Sequence, residues 1–499
     1  MMPDPTEFQF QQPIVIHSGA KSIRFKNRIV RSSLGGRMAY YDGTANNAWK
    51  NFEYHFARFG MGGIISATMS VNPNRHSPLE YPQIDNEKFI GPLADGVAAV
   101  QSLDCRYIMQ IGDCGYHTQT SLFSTSAEGQ SSSAGFDLLY GFRNFRTAMT
   151  KDEIKQEIEY FAHAADRVKR IKCDGLELTA AKGYLIHQFL NPAINRRRDE
   201  YGEDRFLFLE QIVKAIRSMV GRDYLFGVRL SAHDYNQRPW NLRWPQRGAH
   251  GNTLEQTIQY GRRLKHLGVD FLHVTNGYGF ICPNDNPGEF PVEEVTMFCD
   301  STRHLSAKAA FRAAAMHTPL KHFAKLGWKQ MPPGSKLPDT VTLKQAVGLP
   351  VIVNGGFQER SLIERALAEG CDLVSMARPV IANPNLYEIL LRQEKPDNPC
   401  TFCNKCDMRT SLFPVGCYDV DRFQGNYERM ERQIVELAGN PNWPHPKDCI
   451  TGVCAGEMQG PPVDALKQRA DQRAQGRRLQ MAVVAISAGV VLAWLARRR

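Results

Sequence analysis

Long apolar runs, a nucleotide-binding glycine fingerprint and a secretory leader are scarce or missing in this chain. Its 499 residues are 42% hydrophobic and 22% charged, an ordinary globular balance. No Gly-x-Gly-x-x-Gly turn follows an early apolar strand, which argues against a doubly wound dinucleotide-binding sheet. Aromatic–basic interleaving and zinc-finger spacing are absent, so nucleic acid is set aside as a partner despite a net charge of +10. The opening residues, Met-Met-Pro-Asp-Pro-Thr-Glu-Phe, contain neither a basic nor an apolar leader region. A reducing compartment is therefore expected, with the 12 cysteines acting as thiols or metal ligands and not as disulfides. The one long uncharged apolar run lies at 481–496.

What is present is an alternation of short apolar strands with helical patterns. Strands are expected at 27–32, 63–67, 107–111, 175–178, 225–230, 271–275, 350–354 and 373–376. Helical spacing falls at 151–170, 205–220, 254–267, 358–369 and 384–392. Strands apolar along their whole length fit a parallel sheet buried on both faces. Eight of them, with helices or crossover loops between, predict an α/β fold: a (β/α)8 TIM barrel over residues 10–393. Two long connections, 112–150 and 276–345, are expected over the mouth of the barrel or in function. A cysteine-rich extension follows at 394–454, then a polar linker at 455–478. Residues 479–496 would span ~27 Å as a helix, near the lower limit for a bilayer. They lie between Arg477-Arg478 and Arg497-Arg498-Arg499. The expectation is a C-terminal transmembrane anchor with the barrel facing the cytoplasm; a soluble cytoplasmic protein is the alternative.

The richest stretch is 174–195, where a strand runs into a small-residue loop carrying Thr179, Lys182 and Tyr184. Polar groups at such spacings, just past a strand end, suit a site that orients and protonates a substrate. Other strand ends read Phe25-Lys-Asn-Arg-Ile-Val-Arg-Ser-Ser-Leu, Gly62-Gly-Ile-Ile-Ser-Ala, Gln110-Ile-Gly-Asp-Cys-Gly, Val228-Arg-Leu-Ser, Val353-Asn-Gly-Gly-Phe and Ser375-Met-Ala-Arg-Pro. Taken in order, these segments resemble the old yellow enzyme family over roughly residues 10–420.

The resemblance implies FMN, with NAD(P)H as electron donor. Ser32, Ser33 and Ala67 would leave room for the flavin ring. Gln110 would meet its pyrimidine edge, and Arg229 would stabilise the charge that appears on reduction. Gly355 and Gly356 would let the backbone approach the phosphate. Arg378 and N–H groups near Ala377 would complete that site at the seventh and eighth strands.

In the family, the loop after the fourth strand carries His-x-x-His or His-x-x-Asn, then x-Tyr. Here the matching residues are Thr179, Lys182 and Tyr184. The tyrosine is kept, while the neutral donor pair is replaced by a hydroxyl and a cation. The implied reaction is reduction of an α,β-unsaturated carbonyl compound, with Tyr184 protonating the α-carbon and Thr179 and Lys182 polarising the carbonyl. The alternative is oxidation of an amine or another reduced substrate, with electrons passed to a partner protein. His187, at a helix start beside apolar residues, is expected to be hydrogen-bonded and structural.

Cys400-x-x-Cys403-x-x-Cys406, followed by Cys417, can wrap a 4Fe–4S cluster. The set is similar to the iron–sulfur site of the 2,4-dienoyl-CoA reductase and trimethylamine dehydrogenase branch, with a different last gap. A four-thiolate zinc site and free thiols are the alternatives. Fewer than 90 residues follow Cys417, too few for the extra dinucleotide-binding domain of that branch.

Overall fold

The computed structural model describes residues 8–75, 80–117, 130–136, 145–235, 250–278, 287–303, 307–319, 321, 328 and 330–438. The expected linker at 455–478 and membrane anchor at 479–496 lie outside the described residues. Among the described residues no helix is long and apolar enough to cross a membrane.

The chain opens with an antiparallel hairpin, β1 (Ile14–Ser18) and β2 (Lys21–Phe25). Eight parallel strands follow: β3 (Ile29–Arg31), β4 (Gly63–Ile65), β5 (Arg106–Gly112), β6 (Gly175–Ala180), β7 (Leu225–Ser231), β8 (Phe271–Thr275), β9 (Val351–Asn354) and β10 (Leu373–Met376). Each pairs with the next, and β10 returns to β3. The sheet therefore closes as the expected (β/α)8 barrel. Almost every strand position is buried, as a sheet covered by helices outside and side chains inside requires. The first strand is shorter than the run 27–32. Asn27 acts as a turn there: its Oδ1 accepts from Ile29 N at 3.1 Å and its Nδ2 donates to Gly60 O at 2.7 Å.

The outer ring comprises α1 (Asn47–Ala57), α2 (Ile90–Gln101), α3 (Lys151–Arg170), α4 (Leu207–Val220), α5 (Leu254–His266), α6 (Leu337–Val347), α7 (Arg360–Ala368) and α8 (Tyr427–Ala438). Local signals start these helices. Asn46 caps α1 through Trp49 N, and Thr150 with Glu153 forms a capping box on α3. In α3, Ile154, Phe161, Ala164, Ala165 and Val168 are buried, one apolar stripe at helical spacing. Helix α8 comes from the cysteine-rich segment and packs on α1, with Met430, Ile434 and Leu437 buried in the same core as the barrel helices.

A smaller apolar cluster plugs the N-terminal end of the barrel. The hairpin supplies Ile16, Ile23 and Phe25, and the strands supply Val30, Ile65, Ile108, Leu225, Phe271, Ile352 and Leu373. Each fully buried side chain of this kind contributes ~1.5–3 kcal/mol. Gly227 makes room for Phe271, whose ring would lie 2.1 Å from a Cβ at that position. With one end plugged, the open end lies at the C-terminal tips of the strands.

Candidate active site at the barrel mouth

Residues expected at the flavin site sit on or directly after the C-terminal parts of different strands. Ser32 follows β3, is buried, and donates its N–H to Met376 O at 2.8 Å. Ser33 Oγ donates to Gln110 Oε1 at 2.9 Å. Ala67 follows β4 and is buried; its neighbour Thr68, which the sequence reading missed, also donates to Gln110 Oε1. Arg229 is half-buried in β7, between Thr179 of β6 and His273 of β8.

The loop after β6 is built on two consecutive left-handed residues, Lys182 at φ 57° and Gly183 at φ 77°. The first is a strained choice for a side chain with a Cβ. The turn places Tyr184 at the start of the short helix Leu185–Leu190. Gly183 N donates to His187 Nδ1 at 3.0 Å, and His187 Nε2 lies 2.8 Å from Asp234 Oδ1. Because Nδ1 accepts, the ring proton is on Nε2 and points at Asp234. Burial works against the Asp234 carboxylate, yet His187 and Asn252 hold it below the usual range. His187 is thus hydrogen-bonded on both sides, as expected.

Thr179 and Lys182 are both buried. The Thr179 methyl fills the space over Gly112, where a Cβ would lie 2.3 Å away. Lys182 is not a solvated loop lysine: its Nζ donates to Asn276 O at 2.9 Å, just past β8. The Tyr184 phenol is pushed well above its ordinary pKa by burial, then by Cys114, Tyr81 and Asp407; Arg229 pulls the other way. It remains a protonated donor across the working pH range.

Several neighbours of this loop were not legible beforehand. Tyr81 lies against Gly35, where a Cβ would stand 1.8 Å from the ring, and burial together with Asp407 keeps its phenol protonated as well. Tyr278 sits 5.0 Å from the His187 ring. His117 is pushed down to about 3 by burial, Arg146 and His187, so its imidazole is neutral.

At the opposite side of the mouth, Gly355 and Gly356 have φ 134° and 83°. Both angles favour glycine, and together they leave a run of backbone without side chains after β9. Lys336 lies beside them. It is buried, its Nζ donates to Thr275 Oγ1 at 3.3 Å, and its side chain runs 3.5 Å from where a Gly355 Cβ would be. Its only sequence signal is its place just ahead of α6 in a segment that reads as loop. Ala377 and Arg378 follow β10. Arg378 turns toward the cysteine segment, donating to Pro287 O at 2.9 Å and to Asn404 Oδ1, over the Phe402 ring. This donor set, with two glycines and with Lys336 and Arg378 close to the strand ends, fits an anionic phosphate group.

Cys400, Cys403, Cys406 and Cys417 line a single small cavity with Arg378 and Arg422. Phe402 N donates to Cys400 Sγ at 3.4 Å, and Arg422 donates to Cys417 Sγ at 3.0 Å. Burial pushes the Cys400 thiol up to about 11 and raises Cys403 and Cys406. Among the described residues no three His, Cys, Asp or Glu side chains are grouped so as to hold one metal ion.

Known proteins are similar to this chain in sequence and fold. A model of the NADH:flavin oxidoreductase / NADH oxidase family matches residues 10–241, and a dihydrouridine synthase (Dus) model matches residues 335–435. An NADH oxidase of Thermoanaerobacter brockii is 28% identical over 405 residues, covering 80% of this chain and 52% of the relative. This chain thus spans about half the length of that relative. An NADPH dehydrogenase of a Geobacillus species is 30% identical over 271 residues, 52% of this chain and 71% of the relative. A solved 2-naphthoyl-CoA reductase bound to 2-naphthoyl-CoA shares the fold, with a TM-score of 0.64 at 21% identity over 88% of this chain and 57% of that one. The resemblance noted from the strand-end motifs holds: the chain belongs to the NADH:flavin oxidoreductase / NADH oxidase family, the family of old yellow enzyme.

Proposed function

We propose that the protein is an FMN-dependent oxidoreductase that takes electrons from NAD(P)H and reduces an α,β-unsaturated carbonyl compound. FMN, when bound, supplies hydride transfer; the protein's residues supply position and protons. Ser33, Thr68, Gln110 and Arg229 would hold the ring, with Ser32 and Ala67 leaving space. Gly355, Gly356, Ala377, Arg378 and Lys336 would hold the phosphate. The observation that carries the reading is Tyr184: a buried, protonated phenol under the influence of Arg229, which would donate to a substrate α-carbon. Thr179 has a hydroxyl for the carbonyl. Lys182, bonded to Asn276 O, would act on that carbonyl as a fixed positive charge from the loop.

Tyr184→Phe tests this. Anaerobic reduction of the FMN-loaded protein by NAD(P)H is expected to proceed at the wild-type rate. Reoxidation by an enone is expected to slow by about 10²–10⁴-fold, the usual size of a lost acid. Equal slowing of both half-reactions would remove Tyr184 from its role.

A second reading is favoured by one observation. Asp407, from the cysteine segment, acts on both Tyr81 and Tyr184. A carboxylate whose field reaches two phenols suits a cationic substrate, so oxidation of an amine, with electrons leaving to a partner protein, is the rival chemistry. Bleaching of the flavin by an amine under anaerobic conditions would select it.

We further propose that Cys400, Cys403, Cys406 and Cys417 hold a 4Fe–4S cluster, as in the 2,4-dienoyl-CoA reductase and trimethylamine dehydrogenase branch. One zinc ion needs four sulfurs at ~2.3 Å from a common centre. The four cysteines line one cavity, and zinc remains the rival occupant that iron and zinc analysis would separate. The division into barrel (10–393), cysteine-rich extension (394–454), linker (455–478) and tail anchor (479–496) belongs to the same proposal, as does membrane attachment with the barrel in the cytoplasm.

A further inference from the structure

The interior of a (β/α)8 barrel is ordinarily filled by branched apolar side chains. Here a carboxylate and an imidazole meet inside it. Glu177 of β6 and His273 of β8 are fully buried, with His273 Nδ1 at 3.0 Å from Glu177 Oε2. The other carboxylate oxygen accepts from Gln110 Nε2 at 2.5 Å. Gln110 Oε1 in turn accepts from Ser33 and Thr68. On the far side, His273 Nε2 lies 3.0 Å from Ser375 Oγ and 3.4 Å from Asn354 Nδ2, and Asn354 directly precedes Gly355. One hydrogen-bonded belt thus joins β5, β6, β8, β9 and β10, from Gln110 to the glycine pair.

The belt has a direction. A carboxylate oxygen can only accept, so it attracts the NH₂ end of the Gln110 amide and repels the oxygen end. Glu177 therefore decides which way Gln110 faces. Its second oxygen likewise fixes the proton of a neutral His273 on Nδ1 and leaves Nε2 as an acceptor for Asn354 or Ser375. Burial, and the cations Arg229 and Lys336, disfavour a second proton on the ring, against the pull of Glu177. Burying a charged carboxyl here is costly, and an apolar residue would fill the barrel at lower cost.

We infer that Glu177 and His273 are a positioning pair for the flavin site, which orients the Gln110 amide and keeps one negative charge directly behind it. The inference rests on the FMN reading above. Arg229 would draw negative charge onto the reduced flavin, and Glu177 would oppose it. The pair thereby sets how strongly reduction is favoured.

The test compares FMN affinity in the oxidised and reduced states, together with the midpoint potential, for the full chain and for Glu177→Gln. Glutamine keeps the volume and the acceptor toward Gln110 but removes the charge. The variant is expected to bind reduced FMN more tightly relative to oxidised FMN by on the order of tenfold, a rise of about 30 mV for a two-electron couple. A purely structural role would alter stability and leave that ratio alone. Wild-type protein that takes up no FMN would overturn the flavin reading and this inference with it. Wild-type protein that binds FMN, with an unchanged ratio in the variant, would overturn the pair alone. Should Glu177→Gln not fold, the ¹⁵N-histidine spectrum of the wild-type chain decides. A neutral His273 protonated on Nδ1 is expected, and protonation on Nε2 would contradict the belt.

Discussion

The barrel mouth and the cysteine pocket both bury polar groups, but they satisfy them differently. At the mouth, Gln110, Glu177, His273 and Asn354 bond to one another, and Lys182 and His187 are tied to Asn276 and Asp234. The chain itself holds this geometry, so the mouth is preorganised before any ligand arrives. In the pocket, four thiols face one cavity and burial raises three of them. Such thiols become good ligands only when a metal's own charge displaces their protons. The mouth should therefore survive loss of its ligand, while the order of the pocket depends on what fills it.

The largest effect that would break this contrast is all-or-none. Cys403→Ala is expected to abolish bound iron, read by metal analysis and loss of the brown absorbance, while FMN binding is kept. In wild-type protein, chelation of iron should open 400–417 to protease well before the barrel is cut. Equal cutting of both regions would show that the pocket is as self-supporting as the mouth.

Next in size is the glycine pair. Gly355→Val places a branched side chain at φ 134°, beside Lys336. Strain of about 1–3 kcal/mol at such an angle predicts FMN affinity lower by roughly 10–100-fold, measured by flavin fluorescence quenching, with the barrel still folded.

A graded effect, spread over several pH units, concerns acid. Burial lowers the pKa of His55 and His117 from 6.5 to about 3, Arg58 adding to it for the first, Arg146 and His187 for the second. Between those values the unfolded chain takes up protons that the folded chain refuses. Stability is complete above about pH 6.5 and is lost as pH falls toward 3, at no more than ~1.4 kcal/mol per pH unit for each histidine. Urea midpoints at several pH values measure this, and His117→Gln should flatten the slope.

The smallest change expected is from Lys182→Met. It keeps the stem and removes one hydrogen bond, at about 1–3 kcal/mol if Asn276 O is left unpaired. If Lys182 also acts on the substrate carbonyl, enone turnover falls further than thermal stability explains.

Much of the barrel was legible because each strand is a short apolar run, a pattern that survives without knowledge of its neighbours. Strand-end motifs likewise marked Gln110, Arg229 and Gly355. The rest depended on contacts between distant residues. Glu177 and His273 are 96 positions apart and lie within strands that read as apolar. Lys336 stands in a segment that reads as loop, and no local pattern brings Asp407 toward Tyr184. Arg378 was expected as a phosphate fork, but its partners at Pro287 and Asn404 exist only once the cysteine segment is folded against the barrel.

The central claim is hydride transfer through FMN to an unsaturated carbonyl compound, with Tyr184 as the acid. One anaerobic titration tests it most directly. The FMN-loaded protein is reduced with NAD(P)H and then offered an enone, an enoyl thioester or an amine, while the flavin band is followed. The account predicts bleaching by NAD(P)H and full return of the band with an unsaturated carbonyl acceptor. Bleaching by an amine, with no return on adding the enone or the thioester, would contradict it.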